Sequence, residues 1–201
     1  MRQIGNARSQ VRVRAAAIVV SDPVPTIAAD FFVVPTATCR LLFVLVLLAH
    51  DRRRVVHLAV TAHPTAAWTV QQLREAFPWD EAPRYLIRDR DHAFDGVHAS
   101  AAAMGTHEVL TAPRSPWQNA YVERFIGSVR RECLDHVIVL TAPGLRRILQ
   151  EYVAHYSRSR THLGLSKDAP IFRPVAPPTT GPVVAIPQVG GLHHGYDRHA
   201  A

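Results

Sequence analysis

Lysine is almost absent from this chain of 201 residues. Lys167 is the only lysine among 23 basic side chains, so arginine carries nearly all of the positive charge. Acidic residues number 16, which leaves a formal net charge of +7 and a sequence pI near 10.2. Because the arginine guanidinium donates in a planar fork that matches a phosphate group, this composition favours nucleic acid as the binding partner.

Cysteine is equally scarce. Cys39 and Cys133 are the only two, and they stand far apart, without the close spacing of metal ligands. A disulfide-dense secreted scaffold and a cysteine-based zinc site are therefore excluded. We interpret both residues as reduced thiols of a cytoplasmic protein.

The chain also lacks a long hydrophobic run. Its strongest apolar stretch, Leu41 to Ala49, has nine residues, whereas a membrane-spanning helix needs about 20. Near the N-terminus, Ala15 to Val20 is apolar for only six residues before Ser21 to Pro23, which argues against a secretion signal. We therefore expect no membrane partner and a cytoplasmic protein, associated with the nucleoid if its source is prokaryotic.

Proline and glycine divide the chain into regions. We predict a weakly structured segment over 1–25, a central unit over 26–138, a helical extension over 139–170 and a Pro/Gly-rich tail over 171–201. His193 and His194 stand side by side in this tail. We expect them to be flexible and solvated rather than metal ligands, and their role stays open.

The central unit has the pattern of an α/β protein. Three strand-like segments form an antiparallel meander, followed by a helix, a short strand, an Ala-rich helix, a last strand and a long helix. The predicted segments are 27–34, 40–49, 54–62, 64–77, 83–89, 92–104, 108–111 and 116–136. This order predicts a mixed five-stranded sheet, the meander plus parallel strands, flanked by helices.

Three acids in these predicted elements are candidates for a functional site. Asp30 interrupts the apolar first strand, where an unpaired carboxylate is costly unless it binds a cation. Asp89 follows the fourth strand at a charged tip, and Asp91 in the same tip is its rival. Asp30 and the acid at this tip are therefore candidates for a shared cation site.

The third acid, Glu123, lies on the long helix. Ser115 is a plausible N-cap for this helix and Pro116 suits its first turn. At 100° per residue, Asn119, Glu123 and Arg130 fall on nearly one line of the helix surface. The neighbouring apolar stripe is expected to pack on the sheet; it consists of Val122, Phe125, Ile126 and Val129.

The stretch from Ser115 to Glu123 resembles the end of the catalytic domain of insertion-sequence transposases and retroviral-type integrases, the DDE family with its RNase H-like fold. The family places a proline, an amide and an asparagine before its catalytic glutamate, and Pro116, Gln118 and Asn119 occupy those places here. The resemblance continues in three further segments and covers roughly residues 26–175; these segments are Asp30 to Phe32, Arg88 to Phe94 and Arg158 to Leu165.

The resemblance implies an enzyme that cleaves DNA strands and transfers them, a DDE polynucleotidyl transferase. Its catalytic residues and metal ligands would be Asp30, Asp89 and Glu123, holding Mg²⁺ or Mn²⁺ as two ions. The DNA would comprise element ends and target, and the chain would form a homo-oligomer on it. The residues expected to contact DNA are Asn119, Arg124, Arg130, Arg131 and Arg160. The alternatives are an RNase H-like nuclease without strand transfer and an inactive remnant that only binds DNA.

The sequence departs from the family pattern in two places. A glycine often accompanies the second aspartate of the family, whereas Asp91 and His92 stand here, and the 33 residues between Asp89 and Glu123 are slightly fewer than usual. No helix-turn-helix or zinc segment precedes Asp30, so we expect a catalytic domain alone.

Other side chains have ordinary interpretations. We expect Glu132 to be solvated, because it lies on the opposite face of the helix from Glu123, and Trp117 to anchor its loop.

Overall fold

The computed structural model describes residues 24–78 and 82–199. Nearly all of the predicted N-terminal segment 1–25 therefore lies outside the described residues. The strands are β1 (Thr26–Pro35), β2 (Leu41–Ala49), β3 (Val55–Thr61), β4 (Tyr85–Arg88), β5 (His107–Leu110), β6 (Val183–Gln188) and β7 (His193–Arg198). The α-helices are α1 (Ala66–Ala76), α2 (Val97–Ala103), α3 (Ala120–Glu132) and α4 (Ala142–Arg158).

Five strands form one mixed sheet in the order β3-β2-β1-β4-β5. The first three are antiparallel to one another, whereas β4 is parallel to both β1 and β5. This arrangement confirms the predicted fold class. Within the register, Ala28 pairs with Ile87, so Asp30 and Asp89, each two residues further along, lie at the same level. Asp30 is still within β1, whereas Asp89 directly follows the end of β4.

Both faces of the sheet are covered by helices. On one face, α3 and α4 pack on alternate residues of β1 and β2, including Ala28, Val44 and Val46. On the other face, α1 and α2 pack on the intervening residues, including Ala29 and Leu45. Because β2 is buried on both sides, its sequence is an uninterrupted apolar run rather than an alternating one.

The α3 helix begins after a short 3-10 turn, Pro116–Asn119. Its predicted core stripe is confirmed, since Val122, Phe125, Ile126 and Val129 are all buried. Ser115 does not act as the expected cap: its hydroxyl donates to the carbonyl of Pro113 and no side-chain cap bond is formed. In contrast, Thr65 and Thr141 cap α1 and α4 by accepting from backbone N–H groups one turn ahead.

The C-terminal region differs from the predicted tail. The strands β6 and β7 form an antiparallel hairpin over 183–198, with Gly190 and Gly191 at positive φ in its turn. His193 is not a free solvated side chain: its Nε2 donates to the carbonyl of Glu132 at 2.8 Å, and its ring stacks on His155 at 4.3 Å. The hairpin forms because it is anchored to α3 and α4 by contacts far apart in sequence.

Within the described part of the chain, no helix combines the length and the apolar character that crossing a bilayer requires. Both cysteines carry free thiols, and Cys133 is buried in the core.

Candidate active site

A cavity of about 410 Å³ opens between the middle of β1, the segment that follows the end of β4, and the beginning of α3. The structure brings all three predicted acids to it, together with the rival Asp91. Its lining consists of Asp30, Asp89, Arg90, Asp91, Thr111, Ala112, Pro113, Arg114, Ser115, Pro116, Asn119 and Glu123.

Asp30 has the most perturbed carboxyl of this cavity. Burial is the largest cause that raises its pKa, and the charge of Glu123 is the second. The backbone N–H of Phe31 donates to Asp30 Oδ1 at 2.7 Å and opposes the shift, whereas Asp89 and Asp91 add to it. The result is a pKa of about 7, far above the ordinary value of 3.8. Such a group is stabilised in its charged form by a cation.

Asp89 and Asp91 have different surroundings. Asp89 is half-buried directly after β4, and its Oδ1 accepts from the backbone N–H of Asp91 at 3.1 Å. Asp91 is exposed, and its Oδ1 accepts from the N–H of Ala93 at 2.8 Å, which caps the following 3-10 turn. The sheet register and the burial both favour Asp89 as the partner of Asp30.

Glu123 is exposed on α3 toward the cavity, and two bonds hold that helix along β1. At its beginning, Asn119 Nδ2 donates to the carbonyl of Ala29 at 3.2 Å. Near its end, Arg130 Nη2 donates to the carbonyl of Val33 at 3.2 Å, and the guanidinium lies over the ring of Phe32. These contacts fix the helix that carries Glu123 above the strand that carries Asp30.

The structure corrects the expected roles of two predicted DNA contacts. Asn119 is only 5% exposed, and its amide is bonded to β1, so it positions α3 rather than presenting its Nδ2 to DNA. Arg160 is half-buried and donates from Nε and Nη2 to the carboxylate of Glu132. Its guanidinium is therefore engaged inside the protein.

Glu132 and Trp117 also differ from expectation. Glu132 is not solvated: it accepts from both Arg160 and the hydroxyl of Tyr152, the latter at 2.7 Å. Neither Arg160 nor Tyr152 lies close in sequence to Glu132, so helical spacing alone predicted the wrong environment for this acid.

Trp117 does not anchor its loop, because the residue is 70% exposed.

The donors of the cavity suit a hard divalent cation. Three carboxylates supply oxygen ligands of the kind that Mg²⁺ and Mn²⁺ prefer, and both burial and the neighbouring carboxylates raise the pKa of Asp30. Within residues 24–78 and 82–199, no three His, Cys, Asp or Glu side chains are already placed as a set of metal ligands. Asp30, Asp89 and Asp91 each turn one oxygen toward a backbone N–H. In chemistry and in charge, the residues present fit the ion.

Comparison with known proteins shows which proteins this chain resembles. Residues 104–170, which include Glu123, match the family model described as Integrase core domain. An uncharacterized 39.2 kDa protein of insertion element IS476 from Xanthomonas euvesicatoria is 27% identical over 172 residues. That alignment covers 85% of this chain and 50% of the relative, so the chain spans about half the length of the curated relative it matches.

Solved structures share the fold. The HTLV-2 integrase catalytic core domain, determined in complex with magnesium, superposes with a TM-score of 0.55 at 12% identity, over 74% of this chain and 94% of that one. The catalytic domain of the Mos1 mariner transposase gives a TM-score of 0.53 at 14% identity, over 65% of this chain and 70% of that one. The chain resembles integrase and transposase catalytic cores. The resemblance expected from the sequence is thereby confirmed.

In this integrase-like core, sequence reasoning missed two cavity residues, Arg90 and Arg114. Arg90 Nε donates to the carbonyl of Thr111, and Arg114 stands at a positive φ of 56° just before the α3 turn. Both bring positive charge to the rim of a cluster of acids. The alternating charges around Asp89 were a signal for Arg90, whereas Arg114 is brought to the cavity only by the course of its loop.

Proposed function

We propose that this chain catalyses metal-dependent cleavage and transfer of DNA strands, with Asp30, Asp89 and Glu123 as its catalytic acids. One observation carries the proposal: the three acids line one cavity, and burial together with the nearby carboxylates raises the pKa of Asp30 to about 7. One acid comes from β1, one from the residue after β4 and one from α3. Gathering three carboxylates in this way suits cation binding rather than folding stability.

The three acids would hold Mg²⁺ or Mn²⁺, as two ions. When bound, such ions activate an attacking water or 3′-hydroxyl and stabilise the leaving 3′-oxygen. The HTLV-2 integrase core, which shares the fold, was solved in complex with magnesium, which supports this choice of ion. The chain itself supplies position: Asn119 and Arg130 hold α3 on β1, and Arg90 and Arg114 offer donors to a phosphodiester in the cavity.

DNA is the proposed substrate, at element ends and in the target. Three exposed arginines on α3, the helix that carries Glu123, supply phosphate contacts: Arg124, Arg130 and Arg131. We also propose that the chain acts in the cytoplasm and that copies assemble on DNA as a homo-oligomer, since two element ends and a target must be held together for strand transfer.

The purified chain, incubated with labelled duplex carrying element ends and Mg²⁺ or Mn²⁺, tests the proposal. Joined products support strand transfer, nicks alone indicate an RNase H-like nuclease, and binding without either indicates a DNA-binding remnant. Asp30→Asn should abolish product formation. The matched control is Asp135→Asn, an exposed acid after α3 that does not line the cavity. Equal activity of the two variants would contradict the assignment.

A further inference from the structure

A second cleft, of about 680 Å³, lies between the end of α4 and the β6–β7 hairpin. It shares no lining residue with the candidate active site. Its lining consists of Arg158, Ser159, Thr161, Lys167, Asp168, Ala169, Arg173, Pro174, Val175, Ala176, Pro177, Val183, Tyr196, Asp197 and Arg198. Nothing in the proposed chemistry uses this cleft.

Positive charge dominates its walls. Four cationic side chains line it, against two carboxylates, Asp168 and Asp197. Asp168 is already neutralised by an ion pair with Arg52, whose guanidinium also donates to the carbonyls of Ala169 and Pro170. Asp197 accepts from its neighbouring backbone N–H. The cations therefore exceed the free acid charge, which makes the cleft a site for an anion.

Two of the arginines are held in place by backbone carbonyls. Arg173 Nη1 donates to the carbonyl of Tyr196 at 3.0 Å, and Arg198 Nη1 donates to the carbonyl of Gly181 at 2.8 Å. Each guanidinium is thus oriented through Nη1, while Nε and Nη2 are left to donate two parallel hydrogen bonds to a phosphate. Among the described residues, Arg158 and Lys167 form no side-chain hydrogen bond and are exposed to solvent.

Part of the remaining lining is apolar. Tyr196 is 60% exposed and Val183 is 54% exposed, and they stand beside the prolines of segment 174–177. An exposed aromatic ring beside cationic side chains is typical of surfaces that hold a nucleic acid backbone with its sugars or bases.

We propose that this cleft is a second DNA-binding site, which takes the sugar-phosphate backbone outside the cleavage cavity. It rests on the proposed function in that the DNA held there is the DNA that the active site cuts. Charge complementarity favours DNA as the occupant. The chain has a formal charge of +7, and in this cleft its cationic side chains outnumber the acids.

The test is binding of the full chain to a fluorescent duplex in EDTA, followed by anisotropy over a series of salt concentrations. The double variant Arg158→Gln/Lys167→Gln removes two charges from the cleft without breaking a protein contact. The control Arg54→Gln/Arg147→Gln removes two exposed charges elsewhere. The cleft variant should bind several-fold more weakly and lose about 1.8 from the slope of log K against log salt, at about 0.9 per phosphate contact. The control should keep the parent slope.

Three outcomes would overturn the inference: a cleft variant with the parent slope, an equal loss in the control, or an acidic peptide that competes as well as DNA of equal charge. Thermal unfolding of the single variant Lys167→Glu shows whether a loss of binding comes from a folding defect.

Because EDTA prevents cleavage, DNA binding is measured separately from catalysis. An active chain whose cleft variants bind normally refutes only the second site. An inactive chain whose binding depends on the cleft refutes only the proposed function.

Discussion

At the scale of single residues, Asp30 departs most from an ordinary surface acid. It interrupts an apolar strand, and both burial and the charge of Glu123 favour its protonated form. The folded state therefore retains a proton that the unfolded chain releases near pH 3.8. As pH rises from about 4 to about 7, ionising Asp30 costs stability, and above this window the loss is complete.

Asp30→Asn removes this loss. Without divalent ions, the variant should be more stable than the parent at pH 8 and nearly equal to it at pH 4. At about 1.4 kcal/mol per pKa unit, the difference is at most about 4 kcal/mol. Urea unfolding in EDTA between pH 4 and pH 8 measures it. Asp135→Asn is the control and should follow the parent. Parallel curves for Asp30→Asn and the parent would show that the carboxyl is not perturbed.

Asp89 and Asp91 are separated by a pair of matched variants. Asp89→Asn should abolish both strand cleavage and the rise in thermal stability that Mn²⁺ produces, because a metal ligand loses its charge. Asp91→Asn should retain both, since asparagine caps a turn as well as aspartate does. A thermal-shift titration with Mn²⁺ and a cleavage assay give the comparison. If Asp91→Asn is the inactive variant, the second acid is Asp91.

At the scale of elements, the end of α3 is tied to the end of α4. Arg160 follows α4 and holds Glu132, the last residue of α3, with Nε at 2.8 Å and Nη2 at 2.7 Å. Tyr152 of α4 donates to the same carboxylate, and both the pair and this bond lower the pKa of Glu132 against the opposing effect of burial. The ion pair therefore belongs to the packing of the two helices.

Arg160→Gln should lower the free energy of unfolding by about 2 kcal/mol, because it leaves a half-buried carboxylate without its partner. DNA affinity of the folded variant should stay near that of the parent. Arg124→Gln is the matched comparison: its side chain is exposed on α3, so stability should be unchanged and DNA affinity lower. Chemical denaturation and anisotropy together decide between the two roles. A large loss of affinity in folded Arg160→Gln would restore it as a DNA contact.

The hairpin is attached to the helices by two histidines. His155 Nδ1 donates to Gln188 Oε1 at 2.7 Å, and its ring stacks on His193, which donates to the carbonyl of Glu132. Burial lowers the pKa of His155, and the neighbouring His193 lowers it further. The other charged groups nearby, Glu132 and Arg160, act in opposite directions. Two stacked rings cannot both gain a proton without repulsion.

Stability should therefore fall as pH drops below about 6.5, where the unfolded histidine gains a proton that the folded one refuses. His155→Asn keeps a donor for Gln188 and removes the titration, so its stability should depend less on pH between 7.5 and 5.5. Tyrosine fluorescence and urea unfolding at each pH measure this. His199→Asn, in an exposed position after β7, is the control. An unchanged slope for His155→Asn would contradict the role of this residue.

At the scale of the whole molecule, net charge governs association. With a formal charge of +7 carried by arginine, the chain should bind DNA of many sequences through its phosphates. Between 50 and 200 mM salt, affinity should fall at least tenfold, roughly the loss that two phosphate contacts produce. Titrations of two unrelated duplexes measure this. An affinity that stays flat over this range would exclude a binding mode based on phosphate contacts.

Sequence by itself determined the sheet, the helix stripe and the place of the acids. The run from Leu41 to Ala49 predicts a strand, and the spacing of Val122 to Val129 predicts the face that α3 buries. Both signals arise from local periodicity, which is written in consecutive residues. Strand order then brings Asp30 beside Asp89, since β4 pairs in parallel with β1 and ends at the level of Asp30.

Only the tertiary structure decided what the polar side chains meet. Glu132 is bonded to Arg160, 28 residues away, and His193 to the carbonyl of Glu132, 61 residues away. The hairpin over 183–198 and the exposed Trp117 have the same origin, because no periodicity indicates which distant surface will or will not cover a segment. A hydrogen bond between distant residues depends on how the helices dock, and docking is set by the packed core rather than by the residues on either side of the bond.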